Sequence, residues 1–115
     1  MNVLPYILFA GFFVACITHF WFYDELVKRQ YLIARAAWEA DDRPPGFWWA
    51  GDGSSTMRSW PRNRVLLRWF WSTPAWVRED AEAQALYSNF RATGWVGFGF
   101  WICFAGSIVV SAIWS

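Results

Sequence analysis

Val3 to Tyr23 reads VLPYILFAGFFVACITHFWFY, a run without one formally charged side chain. About twenty such residues match the apolar thickness of a bilayer when wound as a helix. A cleaved signal peptide would carry a basic residue ahead of the run, a shorter apolar core and a small-x-small site behind it. None of the three is present, so 3–23 is predicted to be a transmembrane helix. Pro5 suits the first turn, where its missing N–H costs nothing. Gly11 and Ala15 lie four apart and give that helix one flat face for close packing.

The other end repeats the pattern. Gly94 to Trp114 (GWVGFGFWICFAGSIVVSAIW) is also uncharged, and Gly99, Cys103, Gly106 and Ser107 trace a small-residue face along it. All ten Lys and Arg, and every Asp and Glu, fall between Asp24 and Arg91. The excess of positive residues in one connecting segment predicts that 24–92 is cytoplasmic and that both termini lie across the membrane. The expected fold class is therefore an all-α membrane protein, a single domain over 1–115. Two transmembrane helices with cytoplasmic extensions form an antiparallel helical hairpin, with a Trp-rich connection.

Composition narrows the function. Hydrophobic residues make up 57% of the chain, which holds 11 Trp and 11 Phe, and the net charge is only +1. So balanced a charge argues against nucleic acid as a partner, because phosphate-backbone binding needs a basic excess. Membrane lipids and other integral membrane subunits are the expected partners. No nucleophile–histidine–acid set is available, since the sole histidine is in a predicted span, so no enzymatic role is expected. Asp41-Asp42 and Glu79-Asp80-Glu82 read as a helix end and a helix start rather than a catalytic pair. Gly51-Asp52-Gly53-Ser54 lacks the Gly-Lys-Ser/Thr of a phosphate loop.

Within the connection, Asp24 to Ala40 is rich in helix formers and free of Gly and Pro, which predicts one unbroken helix from about Pro5 to Ala40, roughly 54 Å long. Asp41-Asp42-Arg43-Pro44-Pro45-Gly46 ends it. Phe47 to Ser59 reads as a loop opened by the triplet Phe47, Trp48 and Trp49, which is costly to leave in water. Trp60 to Trp71 (WPRNRVLLRWFW) is basic and aromatic together. Arg62, Arg64 and Arg68 are candidates for lipid phosphates or an acidic partner surface. Trp69, Trp71, Trp48 and Trp49 are candidates for membrane-interface anchors or partner contacts. Pairing of the same arginines with Asp41, Asp42, Glu79 and Asp80 inside the hairpin is the competing expectation. Thr73 and Pro74 read as the cap and first residue of a helix continuing through Arg91.

His19 is an ionisable group inside a predicted span, hence a candidate site. Ala15-Cys16-Ile17-Thr18-His19 resembles the Ala-x-x-x-His pattern of antenna polypeptides, which implies haem or bacteriochlorophyll ligation through the imidazole. A neutral imidazole hydrogen-bonded to the neighbouring helix is the simpler expectation. Cys16 and Cys103 are expected at similar depths, roughly 10 and 14 Å from the cytoplasmic face, as free thiols that lie close to each other. No metal-ligand spacing is present.

The order of parts resembles the universal stress protein B family and its small two-span relatives. The likeness lies in an N-terminal span, the turn Gly46-Phe47-Trp48-Trp49, then Pro61, Asn63, Val65, Leu67 and Trp69, a charged helix holding Arg91, and a closing Val109-Val110-Ser111-Ala112-Ile113-Trp114. The resemblance implies a bacterial inner (cytoplasmic) membrane location, with periplasmic termini, and a general association with stress. Three roles are thus in view: a non-catalytic accessory subunit of a larger, respiratory or photosynthetic membrane complex, a free-standing stress-associated membrane protein, or a pigment- or haem-binding subunit through His19.

Overall fold

The computed structural model describes residues 2–55 and 59–114, which are helical with no strand among them. α1 (Leu4–Ile33) and α4 (Ala81–Trp114) form an antiparallel pair, and α2 (Arg35–Ala40), α3 (Ser59–Trp71) and a 3₁₀ turn (Ala75–Glu79) pack at one end of it. Both long helices are long and apolar enough to cross a membrane. Their apolar residues are spread around the whole circumference, as in a helix without an aqueous face.

Small residues set the approach of α1 and α4. A Cβ on Gly11 would lie 2.5 Å from the Phe100 ring, so only glycine admits that ring. Ala15 is buried against Gly97, where an added Cβ would rest at an ordinary 3.6 Å. Phe9 meets Phe104 further out, with ring centroids 5.7 Å apart. Gly97, which the small-residue pattern did not single out, is therefore part of the seam. A Cβ on Gly99 or Gly106 would meet nothing within 4 Å, and both glycines are exposed, Gly106 beside a cleft that it lines with Leu4 and Leu8 of α1.

The expected single helix from Pro5 to Ala40 is broken. Ala34 takes φ −134° and ψ 52°, and a new helix starts at Arg35. Local propensity gives no reason for a break there, but tertiary packing does. The bend carries Trp38 into the core, with its indole N–H donating to the Pro44 carbonyl at 3.0 Å and its ring edge-on to Tyr31 at 4.8 Å. α2 then closes with the Asp42 N–H on the Glu39 carbonyl and the Arg43 N–H on the Trp38 carbonyl. That bond pair is a Schellman ending, and it holds Asp42 at φ 65° where glycine is the usual residue.

The helix expected from Pro74 is also displaced. Pro74 is extended and leads into the 3₁₀ turn, with no side-chain cap. The real cap of α4 is Asp80, whose Oδ2 accepts the Ala83 N–H at 2.9 Å. Asp80 wins because the same carboxylate is gripped by Arg29 from α1.

The core lies entirely at the charged end. Tyr23, Leu26, Val27, Trp38, Val65, Trp69, Val77, Ala83, Tyr87 and Phe90 are buried together there. One buried carboxylate governs how the connection reaches them. Asp24 Oδ1 accepts the Phe47 N–H at 2.7 Å, and Oδ2 accepts those of Trp48 and Trp49 at 2.7 and 2.9 Å. Three successive N–H groups thus solvate a charge that burial has stripped of water. Gly46 makes this approach possible, because a Cβ there would lie 2.5 Å from Asp24 Cγ. Gly46→Ala should therefore cost about 2 kcal/mol, since Asp24 cannot retreat without lengthening three bonds. Chymotryptic cleavage at 47–49 should accelerate by roughly tenfold or more in the variant; an unchanged rate would contradict the close fit.

Candidate functional site: an aromatic and arginine-rich cap

α3 presents two different faces. Pro61, Val65 and Trp69 recur every four residues and are buried, whereas Trp60, Leu67 and Trp71 are each more than three-fifths exposed. Trp69, expected at the membrane interface, is instead a core residue at 1% exposure. Its ring lies 5.8 Å from both Tyr23 and Trp76, and its carbonyl accepts the Tyr87 hydroxyl at 2.6 Å. The i, i+4 spacing of Pro61, Val65 and Trp69 was the signal for that face. Trp49 is half-buried with its ring 5.3 Å from Tyr31.

Trp48 and Trp71 do face outward, at 63% and 67% exposure, joined by Trp60 at 66%. Trp71 is edge-on to Trp95 at 6.1 Å, and Trp95 is itself half-exposed, as is Trp21 on α1. Trp71 and Trp95 thus lie together beside the start of the uncharged run of α4, whereas Trp60 lines a cleft with Glu39, Asp42 and Arg43. An indole half in hydrocarbon and half in headgroups suits the start of that run far better than one left in water.

The arginines of α3 are engaged within the chain. Arg64 is paired with Asp42, and Arg68 with Asp41, which also accepts the amide of the fully buried Gln30 at 2.8 Å. Arg62 places its guanidinium 4.2 Å above the Phe47 ring, as Arg35 does at 3.6 Å over Tyr31. Phe47 is in turn stacked on Phe20 at 4.1 Å. Arg62, Arg64 and Arg68 therefore tie α3 to the end of α2 and to the aromatic loop. Arg29 makes a fork to Asp80, with Nε and Nη2 each 3.0 Å from an oxygen, and extends to Glu82 at 3.1 Å.

His19 joins three helices. Its Nδ1 donates to the Phe90 carbonyl at 2.8 Å, and its ring stacks on Phe90 at 4.4 Å and meets Phe70 edge-on at 6.4 Å. Gly94 lets this cluster close, since a Cβ there would lie 2.6 Å from Phe70 and 3.0 Å from His19. With Nδ1 engaged, Nε2 is the one ring nitrogen left for a metal. No group of three or more His, Cys, Asp or Glu with metal-binding geometry occurs among the described residues. The two thiols are free, but they are not neighbours. The pairing of Ala15 with Gly97 leaves Cys103 seven residues, or roughly 10 Å, beyond the level of Cys16. Counting both helices from the ends of their charged segments gave the wrong register, because α4 crosses the cap several residues earlier.

Comparison with protein-family models, with curated protein sequences and with solved structures gave no match, and nothing in them links the chain to the universal stress protein B family.

The Arg29 fork holds the Asp80 carboxyl below the ordinary carboxylate range, helped by the Ala83 N–H, and Asp80 correspondingly raises Arg29. A carboxyl with a lowered folded-state pKa contributes stability that is fully present above its unfolded value of 3.8 and is lost as pH falls through the folded value. The purified protein should therefore melt at a constant temperature from about pH 7 to pH 5 and lower below about pH 4. In Asp80→Asn that acid-induced fall should be smaller. Melting curves by circular dichroism check this, and an equal fall in both proteins would place the acid sensitivity elsewhere.

Proposed function

We propose that the chain is a two-span membrane protein, with 3–23 and 94–114 in a bacterial inner membrane and 24–92 on the cytoplasmic side. We infer that it serves as a non-catalytic accessory subunit of a larger membrane complex. The observation that carries this reading is the contrast between the two ends of the molecule. The buried core is confined to the charged cap, while along the spans only a seam from Ala15 and Gly97 out to Phe9 and Phe104 is in contact and the remaining surface is exposed and apolar. In particular, Gly99 and Gly106 lie seven residues apart, about two helical turns, and both are exposed. Two exposed glycines on one helix face suit the close approach of another transmembrane helix, where dispersion contacts drive association. Residence among lipids as a free-standing protein, as the family resemblance implies, is the second reading.

Gly106→Leu separates them cleanly. A Cβ added there meets nothing within 4 Å, and the cleft beside it has room for a longer side chain, so helicity and melting should change little. Co-purification of other membrane subunits in mild detergent should fall by about fivefold or more, because a branched side chain holds the backbones apart. Undiminished co-purification, or none from the parent protein, would favour the free-standing reading. Orientation is tested with Asp52→Cys in a Cys16→Ala, Cys103→Ala background. An impermeant maleimide should label it only after the inner membrane is opened; labelling in intact spheroplasts would reverse the topology.

A further inference from the structure

A guanidinium removed from water needs acceptors, and the cap supplies them to most of its arginines. Arg29, Arg64 and Arg68 have carboxylates, and Arg35 and Arg62 lie over aromatic rings. Arg43, Arg78 on the 3₁₀ turn and Arg91 on α4 have neither among the described residues; of these Arg43 and Arg78 are exposed and Arg91 is half-buried. Arg78 and Arg91 line one cleft of about 480 Å³ together with Thr73, Gln84 and Ser88, and no carboxylate lines it. Glu79, next to Arg78 in the chain, faces a different cleft with Asp41 and Arg68. Gln84 fixes the geometry, since its amide donates to the Arg78 carbonyl at 2.8 Å and ties the 3₁₀ turn to α4. Arg91 is half-buried, and its Nε, turned inward, meets no acceptor among the described residues. A cleft lined by two cations and two hydroxyl groups, with no carboxylate among them, suits an anion with several oxygens.

We propose that this cleft binds a phosphate group through Arg78 and Arg91, with the hydroxyls of Thr73 and Ser88 as further donors. Its position points to the headgroup of an anionic phospholipid. Arg91 is the last charged residue before the uncharged run of α4, and Trp95 lies one turn beyond it, half-exposed. That placement at headgroup depth rests on the two-span reading above, whereas the phosphate chemistry of the cleft does not. The site also differs from the surface first suggested by the sequence. The arginines of α3 hold the cap together, and the pair flanking the start of α4 is left for a ligand.

The test uses the full chain purified in a neutral detergent and offered phosphatidylglycerol or phosphatidylcholine, with bound lipid counted by native mass spectrometry. The parent should retain phosphatidylglycerol in preference to phosphatidylcholine. Arg78→Gln/Arg91→Gln should lose that retention by about tenfold or more, as expected for two basic residues on one phosphate. Lys28→Gln/Arg43→Gln, which removes the same charge elsewhere, should lose less than about twofold by the same reasoning. Should the double variant show an altered circular dichroism spectrum, the single substitutions Arg78→Gln and Arg91→Gln are read instead, each with a loss of roughly threefold. Millimolar inorganic phosphate forms the second arm. Arginine-dependent stabilisation by phosphate alone, with displacement of the lipid, would identify free phosphate as the ligand and keep the site. A loss no greater in Arg78→Gln/Arg91→Gln than in the charge-matched control, for lipid and phosphate alike, would overturn the proposal. Release of the chain from membranes by alkaline carbonate would sink the two-span reading instead, leaving the arginine-dependent phosphate arm to be judged by itself.

Discussion

The carboxylate of Asp24 is the constraint on which the cap depends. It is the first charge after a run of apolar helix, it is buried, and its two oxygens are saturated by the N–H groups of Phe47, Trp48 and Trp49. An unpaired carboxylate at that depth would be strongly destabilising, so the chain must bring donors to it. Backbone donors fix position more tightly than a flexible lysine would, and they fix a whole tripeptide at once. With the tripeptide placed, Phe47 covers Phe20, Arg62 covers Phe47, and α3 is drawn against the pair of long helices. Trp48 is left pointing outward, which is how a loop residue joins the exposed indoles.

The result is a molecule with two kinds of interior. At the charged end, a conventional dry core of tyrosines, tryptophans and aliphatic residues is closed by ion pairs between arginines and the acids of α2 and the α4 cap. Along the apolar end, a narrow seam that includes Gly11, Ala15, Gly97 and Phe100, with Phe9 on Phe104 further out, is in contact, and large side chains cover the outside. Burial of apolar surface from water holds the first together. It cannot act between helices once both are surrounded by hydrocarbon, so the seam must rely on close fit, and small residues supply it. His19 lies at the junction, hydrogen-bonded to the α4 backbone and walled by Phe90 and Phe70.

Much of this was legible before any coordinates. The two uncharged runs and the loop beginning at Phe47 follow from charge placement and turn residues, which act locally. What stayed hidden was set by contacts distant in the chain. Ala34 breaks a stretch of good helix formers because Trp38 has a place in the core. Asp80 outranks Thr73 as a cap because Arg29, fifty-one residues earlier, holds it. Trp69 is interior although its neighbours are basic, and only the Pro61–Val65–Trp69 spacing hinted at it. The arginine partners could be guessed as a set, but the pairing Arg64–Asp42 and Arg68–Asp41 needed the Schellman turn that orients the two acids. The role of Asp24 gave no local signal, because its donors are backbone groups, which every sequence has.

That last contact is the most direct point at which the account can be tested. Amide hydrogen exchange of Phe47, Trp48 and Trp49 can be followed in the purified protein and in Asp24→Asn, with the amides of α1 as an internal reference. Loop amides held by a buried carboxylate should exchange in the parent as slowly as those of the α1 interior. In Asp24→Asn they should speed up by about a hundredfold or more, as expected when charge-assisted bonds of roughly 1.5–3 kcal/mol each are lost. Fast exchange at all three positions in the parent, or equal protection in both proteins, would mean that Asp24 does not organise the cap.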